Sequence, residues 1–76
     1  MTVANFTLAE STEALTKENT ANTLSIIANE LAEKGGITTT AAATVVKAAY
    51  NRVKASGTAV TAKAIITNML ENATID

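Results

Sequence analysis

The side chains of this 76-residue chain that could act as acids, bases or nucleophiles are seven carboxylates, six cations and a few serines. The chain has no histidine to activate a serine, and it lacks the cysteine and histidine ligands of common zinc sites. The acidic residues include two local groups typical of solvated helix faces: Glu10, Glu13 and Glu18, then Glu30 and Glu33. Gly35 and Gly36 lack the lysine and further glycines of a phosphate loop. We therefore predict no enzymatic activity, no metal and no cofactor.

One grouping combines an aromatic ring with cations, and it consists of Lys47, Tyr50, Arg52 and Lys54. Such a group can contact nucleic acid, with the tyrosine stacking on a base and the cations on phosphates. It also fits a helix in which Tyr50 packs at the core margin while the cations face water. The net charge of −1 favours this second interpretation, because non-specific nucleic-acid binding normally needs a basic excess.

We expect helices to position these groups, and residues 31–53 show how two of those helices are connected. This stretch predicts the end of one helix, a stop at Gly35 and Gly36, and a second helix with its N-cap among residues 38–40. The first of these helices runs from Glu18 or Thr20 to Lys34. One face of it is apolar and carries Leu24, Ile27, Ala28 and Leu31.

Two more apolar stripes follow at helical spacing. The helix after the glycine pair carries Ala42, Val45, Val46, Ala49 and Val53, and it ends at Ser56 and Gly57. A last helix, capped by Thr58 or Thr61, carries Ala62, Ile65, Ile66, Met69, Leu70 and Ala73. Residues 74–76 are expected to fray.

The N-terminal part is predicted as a flexible arm, residues 1–6, followed by a single helical domain, residues 7–76. Thr7 and Glu10 fit a capping box, which predicts a short helix from Leu8 to Leu15. The predicted fold is all-α, a small bundle of three to four short helices around a central helix-turn-helix hairpin.

The surface composition indicates contacts with other proteins. Charged residues make up only 17% of the chain, against about 25% in ordinary soluble domains. Alanine, threonine and asparagine take their place, and uncharged groups are covered by a neighbour at low desolvation cost. Beside the stripe of the central helix lie Ala41, Thr44 and Ala48, while Val3 and Phe6 have no obvious place in a three-helix core. We predict that the chain contacts other subunits through this flank of the helix, through the N-terminal segment with Val3 and Phe6, or through both.

Residues 31–53 also resemble the N-terminal helices of the HU/IHF family of bacterial DNA-bending proteins. The resemblance lies in Ala32-Glu33-Lys34-Gly35-Gly36-Ile37-Thr38, with Ala42 and Tyr50 at matching places. It implies a hairpin that dimerises. In that family the chain continues into strands and a basic arm that enters the minor groove, whereas after Gly57 this chain continues as another helix.

These observations predict a non-enzymatic structural or protein-protein interaction module, a homo-oligomer or a subunit or accessory piece of a larger assembly. Small, cysteine-free chains rich in alanine, threonine and asparagine are common in virus particles, so a phage virion protein is the specific expectation. The alternative is an HU-like protein associated with nucleic acid. No secretory signal or membrane span is recognisable, so the expected location is the cytoplasm or a virion.

Overall fold

The computed structural model describes residues 1–72 and is all-helical, with no strand in that range. A single 3-10 turn, Val3–Asn5, is followed by irregular chain and then by three α-helices. Helix α1 spans Thr20–Gly35, helix α2 spans Thr39–Ala55 and helix α3 spans Ala62–Asn72. The prediction of a small all-α bundle around a central hairpin is confirmed, and α1 and α2 are the two arms of that hairpin.

The hairpin turn follows from the glycine pair and the threonines behind it. Gly36 adopts φ 67° and ψ 29°, a left-handed conformation that glycine enters without a Cβ clash. Thr38 then caps α2, since its hydroxyl accepts a hydrogen bond from the amide of Ala41 at 3.1 Å. Helix α3 starts in the same way, with the amide of Ala64 bonded to the hydroxyl of Thr61 at 3.1 Å.

The core is made of the apolar faces of the three helices. Ile27 and Leu31 of α1, Val46 of α2 and Ile65 of α3 are all within 1% of complete burial. The predicted stripes therefore face inward, although their edges are half-buried, at Leu24, Val45 and Leu70. Helix α2 packs against both α1 and α3, so it lies at the centre of the bundle. Ala73 and the predicted fraying of residues 74–76 lie outside the described residues.

The predicted helix from Leu8 to Leu15 does not form, and the reason is tertiary. Thr7 does not cap toward Glu10, because its amide and hydroxyl bond to the carboxylate of Glu30 on α1 instead. Two backbone groups of this segment form hydrogen bonds with residues near the N-terminal end of α3, and not with each other or with their own segment. The amide of Leu15 donates to the carbonyl of Val60 at 2.8 Å, and the carbonyl of Ser11 accepts from the amide of Lys63 at 3.1 Å. These contacts outweigh the weak helix propensity of a segment rich in threonine and serine.

Residues 1–6 do not extend as a separate arm. Phe6 is 3% exposed and Ala9 is 4% exposed, and both belong to the same core as the three helices. Val3 packs against that core and is half-buried. The expectation that Phe6 has no place in the core is therefore wrong. We call residues 1–11 the N-terminal strap.

Candidate interaction surface

Part of the exposed side of α2 is neutral and composed of short side chains, and Lys47 and Lys54 lie along one edge of this part. It is formed by residues three or four positions apart, and we call it the outer face of α2: Thr40, Ala41, Thr44, Ala48, Asn51 and Ala55. Ala48 is half-buried and the other five are exposed. Three of the five predicted subunit contacts, Ala41, Thr44 and Ala48, lie on this one face. These six residues carry no charge, and the nearest cation is Lys47, three positions after Thr44 and four before Asn51.

The hydroxyl of Thr44 strengthens this property. It donates to the carbonyl of Thr40, one helical turn earlier, at 3.1 Å. Since the hydroxyl already has a partner in its own helix, covering Thr44 leaves no donor unpaired. The face can therefore be buried against another chain without new polar contacts at this position.

The other two predicted subunit contacts, Val3 and Phe6, are separated from the outer face of α2. Both lie on the N-terminal strap, and Phe6 is enclosed by its own chain. While the strap stays docked, Phe6 is therefore inaccessible to a second subunit. The structure does not bring the five predicted contact residues together on one surface.

A groove between α1 and α2 lies on the opposite side of Lys47 from the outer face of α2. Its volume is about 450 Å³, and its lining is mainly apolar: Ala21, Leu24, Ser25, Ala28, Asn29, Thr39, Ala43 and Lys47. Lys47 is the one charged residue of this lining. The groove is the uncovered side of the helical hairpin, since α3 packs mainly against α2.

The four residues proposed as an alternative nucleic-acid site are divided between two sides of α2. The ammonium of Lys54 lies over the ring of Tyr50, 5.2 Å from its centroid, and Lys47 is exposed on the same side. Arg52 points toward α3, where its Nε donates to the side-chain oxygen of Asn68 at 2.7 Å. Only Lys47, Tyr50 and Lys54 can therefore act together.

Sequence reasoning missed the role of Glu30, which was interpreted as part of a solvated helix face. Its carboxylate accepts hydrogen bonds from the amide and the hydroxyl of Thr7, the latter at 2.7 Å. Lys34, one turn later on α1, lies 4.0 Å from the same carboxylate and donates to the carbonyl of Asn5. No local sequence pattern predicts the contact between Thr7 and Glu30, because the two residues are distant in sequence.

A second cavity, of about 370 Å³, lies between the end of α2 and the length of α3. Several hydroxyls line it, but they bond within the chain. Ser56 donates to the carbonyl of Val53 at 2.7 Å and shares a hydrogen bond with Thr58, while Thr61 caps α3. The lining also includes Lys63, Thr67 and Glu71, so its polar groups are of both charges and are not gathered into one site.

Residues 1–72 contain no group of three acidic, histidine or cysteine side chains close enough together to hold a metal ion. Across the same residues, no helix has the length and apolar character needed to cross a membrane. No protein-family model, no curated protein and no solved structure matches this chain.

Proposed function

We propose that the protein is a non-enzymatic subunit or accessory piece of a larger protein assembly. The observation that supports this is the outer face of α2, an uncharged helix surface of small side chains on the central helix of the bundle. A helix exposed only to water normally carries charges across its exposed side, whereas on α2 the exposed cations Lys47 and Lys54 lie at one edge of this face. Small residues let a second helix approach closely, and they lose little on being covered.

The composition supports a more specific form of this proposal. The chain is short, lacks cysteine and is rich in alanine, threonine and asparagine, as many components of virus particles are. We propose a phage virion as the assembly. Detection of the protein by mass spectrometry in purified particles would support this form, and its consistent absence from them would contradict it.

Self-association tests the surface directly. We expect the purified protein to form oligomers at high concentration, and we expect Thr44→Glu and Ala48→Glu to return it to a monomer. A buried carboxylate without a partner opposes the interface, while neither change reaches the fully buried core. Sedimentation velocity measures the oligomeric state, and circular dichroism verifies the fold of each variant.

The matched control is Asn22→Glu, which adds the same charge at an exposed position of α1. This variant is expected to associate like the wild type. A wild-type protein that stays monomeric at all accessible concentrations would contradict homo-oligomerisation. Variants that associate normally would exclude the outer face of α2 as the contact.

The second candidate function is an HU-like association with nucleic acid, which the grouping of Lys47, Tyr50 and Lys54 favours. Because the net charge is −1, we expect no detectable binding to random duplex DNA at physiological salt. Fluorescence anisotropy with a labelled duplex measures this. Tight binding that weakens steeply with salt and is lost in the double variant Lys47→Gln/Lys54→Gln would reverse the order of the two proposals. The variant leaves Arg52 unchanged, because the Arg52 side chain is hydrogen-bonded to Asn68.

A further inference from the structure

The N-terminal strap is held by a surface that consists of other parts of the chain. Phe6 and Ala9 are buried in the core formed with the helices, and the 3-10 turn packs against α3. The amide of Lys63, at the start of α3, donates to the carbonyl of Ser11 at 3.1 Å. We call the receiving surface of α1 and α3 the seat. Its residues lie in α1 and α3, so every copy of the chain carries the same seat for a strap.

The polar contacts of the seat match this strap in particular. The Glu30 carboxylate accepts from the amide and hydroxyl of Thr7, and Lys34 donates to the carbonyl of Asn5. One group is an acceptor with a negative charge and the other is a donor with a positive charge, and each meets its complement on the strap. Since the amide of Thr7 and the carbonyl of Asn5 are backbone groups, the hydroxyl of Thr7 and the buried ring of Phe6 are what distinguish this strap, and a second copy of residues 1–11 provides both.

The strap is joined to the helices by a short exposed connection, although Phe6 and Ala9 are part of their core. Apart from the 3-10 turn it has no regular structure, so its order depends on the seat. Thr12, Glu13 and Ala14, which follow the strap, are all exposed. Beyond them, Leu15 is anchored again by its hydrogen bond to Val60. Residues 12–14 are thus a hinge between two anchored segments.

We propose that the strap of one subunit occupies the seat of a second subunit when the chains are crowded, so that exchanged straps link neighbouring subunits. This proposal deepens, and rests on, the assembly function. A tethered strap meets its own seat at an effective concentration of ~1 mM, so dilute chains keep their straps docked on themselves. Above that concentration, as inside an assembly, exchange makes the same contacts at little cost.

The test uses the absence of natural cysteines to place two thiols. Asn5→Cys labels the strap and Glu33→Cys labels α1 beside the seat, and both positions are exposed. Bismaleimides of several lengths are first tested on the double variant at micromolar concentration. The one that is long enough to link the two thiols within a single chain is chosen. The two single variants, one of them isotopically labelled, are then mixed at several millimolar and treated with that reagent. Mass spectrometry is expected to detect a dimer that joins one chain of each kind.

Deleting residues 12–14 supplies a readout that simple proximity does not predict. The deletion joins Ser11 directly to Leu15, so while Leu15 stays anchored at Val60 a strap is kept from its own seat, but the seat of a second chain remains within reach. Placed in both single-cysteine chains, the deletion is expected to lower the concentration at which the mixed dimer appears by about tenfold or more, and circular dichroism verifies that the helices still form. Chance collision would give the same yield at each concentration with and without the deletion, and that result would overturn the proposal.

The outcomes separate this proposal from the function on which it rests. If the wild type associates through the outer face of α2 but gives no mixed dimer, exchange is wrong and the assembly function stands. If Thr44→Glu chains are monomeric by sedimentation at lower concentration and still give mixed dimers in the cross-linking experiment, exchange stands and is independent of the outer face of α2. Pairing Asn5→Cys with Asn51→Cys, on the outer face of α2, is the control for packing without exchange, and it is expected to yield less product.

Discussion

Replacing Val46 or Ile65 with aspartate is expected to unfold the protein. Val46 is 1% exposed and Ile65 is completely buried; Val46 belongs to the central helix α2, and Ile65 to α3, which packs against it. An unpaired carboxylate at either position costs about 4 kcal/mol or more. The total free energy of unfolding of a domain this small is about 4 to 11 kcal/mol. The circular dichroism spectrum at 25 °C should therefore lose most of its helical signal, or the melting temperature should fall sharply.

The matched control is Ile26→Asp, since Ile26 is 36% exposed on the surface of α1. This change should cost less than about 1 kcal/mol, because the carboxylate stays in water. Melting curves of Val46→Asp and Ile65→Asp that coincide with that of the wild type would mean that the apolar stripes do not face a common core. In that case the outer face of α2 would also have to be reassigned.

Phe6→Ala is expected to destabilise the protein by about 3 to 5 kcal/mol, the usual effect of removing a buried phenylalanine. Each kcal/mol corresponds to about 4 to 8 °C in the melting temperature of a domain of this size. A fall of more than about 12 °C is therefore expected in a thermal melt. The effect is large because Phe6, 3% exposed, is the one aromatic side chain that ties the N-terminal strap to the core.

Two controls make this prediction specific. Ile37→Ala truncates an exposed residue of the turn between α1 and α2, 37% accessible, and should change stability by no more than about 0.5 kcal/mol. Phe6→Leu keeps most of the apolar volume and should fall between Phe6→Ala and the wild type. If Phe6→Ala melts like the wild type, residues 1–6 are a flexible arm in solution, and strap exchange loses its anchor.

These two experiments also bear on the proposed assembly, because a bundle this small has little stability to spare. A subunit that lends its strap to a neighbour exposes the space left by Phe6 unless a second strap arrives. Exchange is therefore favourable only between subunits that both give and receive. Such reciprocity suits a repeating assembly or a closed dimer.

The amino-acid sequence by itself determined the three helices and their buried faces. Within each helix the apolar residues recur at intervals of three and four, as Leu24, Ile27 and Leu31 do in α1, and this spacing places them on one side of the helix whatever lies beyond it. The ends were equally local: Gly36 allows the left-handed conformation, and the hydroxyls of Thr38 and Thr61 bond amides three residues later. The neutral side of α2 could also be predicted, since it is the remainder of the same helix.

Only the tertiary structure decided the course of the N-terminal segment and the partners of the charged residues. Thr7 and Glu10 have the spacing of a capping box, but Glu30 offers Thr7 a carboxylate from another helix, and Ser11 and Leu15 find backbone partners near α3. Arg52 follows Lys47 by five residues, so helix geometry alone turns the two about 140° apart, and the tertiary structure adds Asn68 as the partner of Arg52. A segment without strong periodicity takes its conformation from the partners that the packed helices offer, because its own local hydrogen bonds are weaker than those contacts. Those partners are distant in sequence, so local patterns do not reveal them.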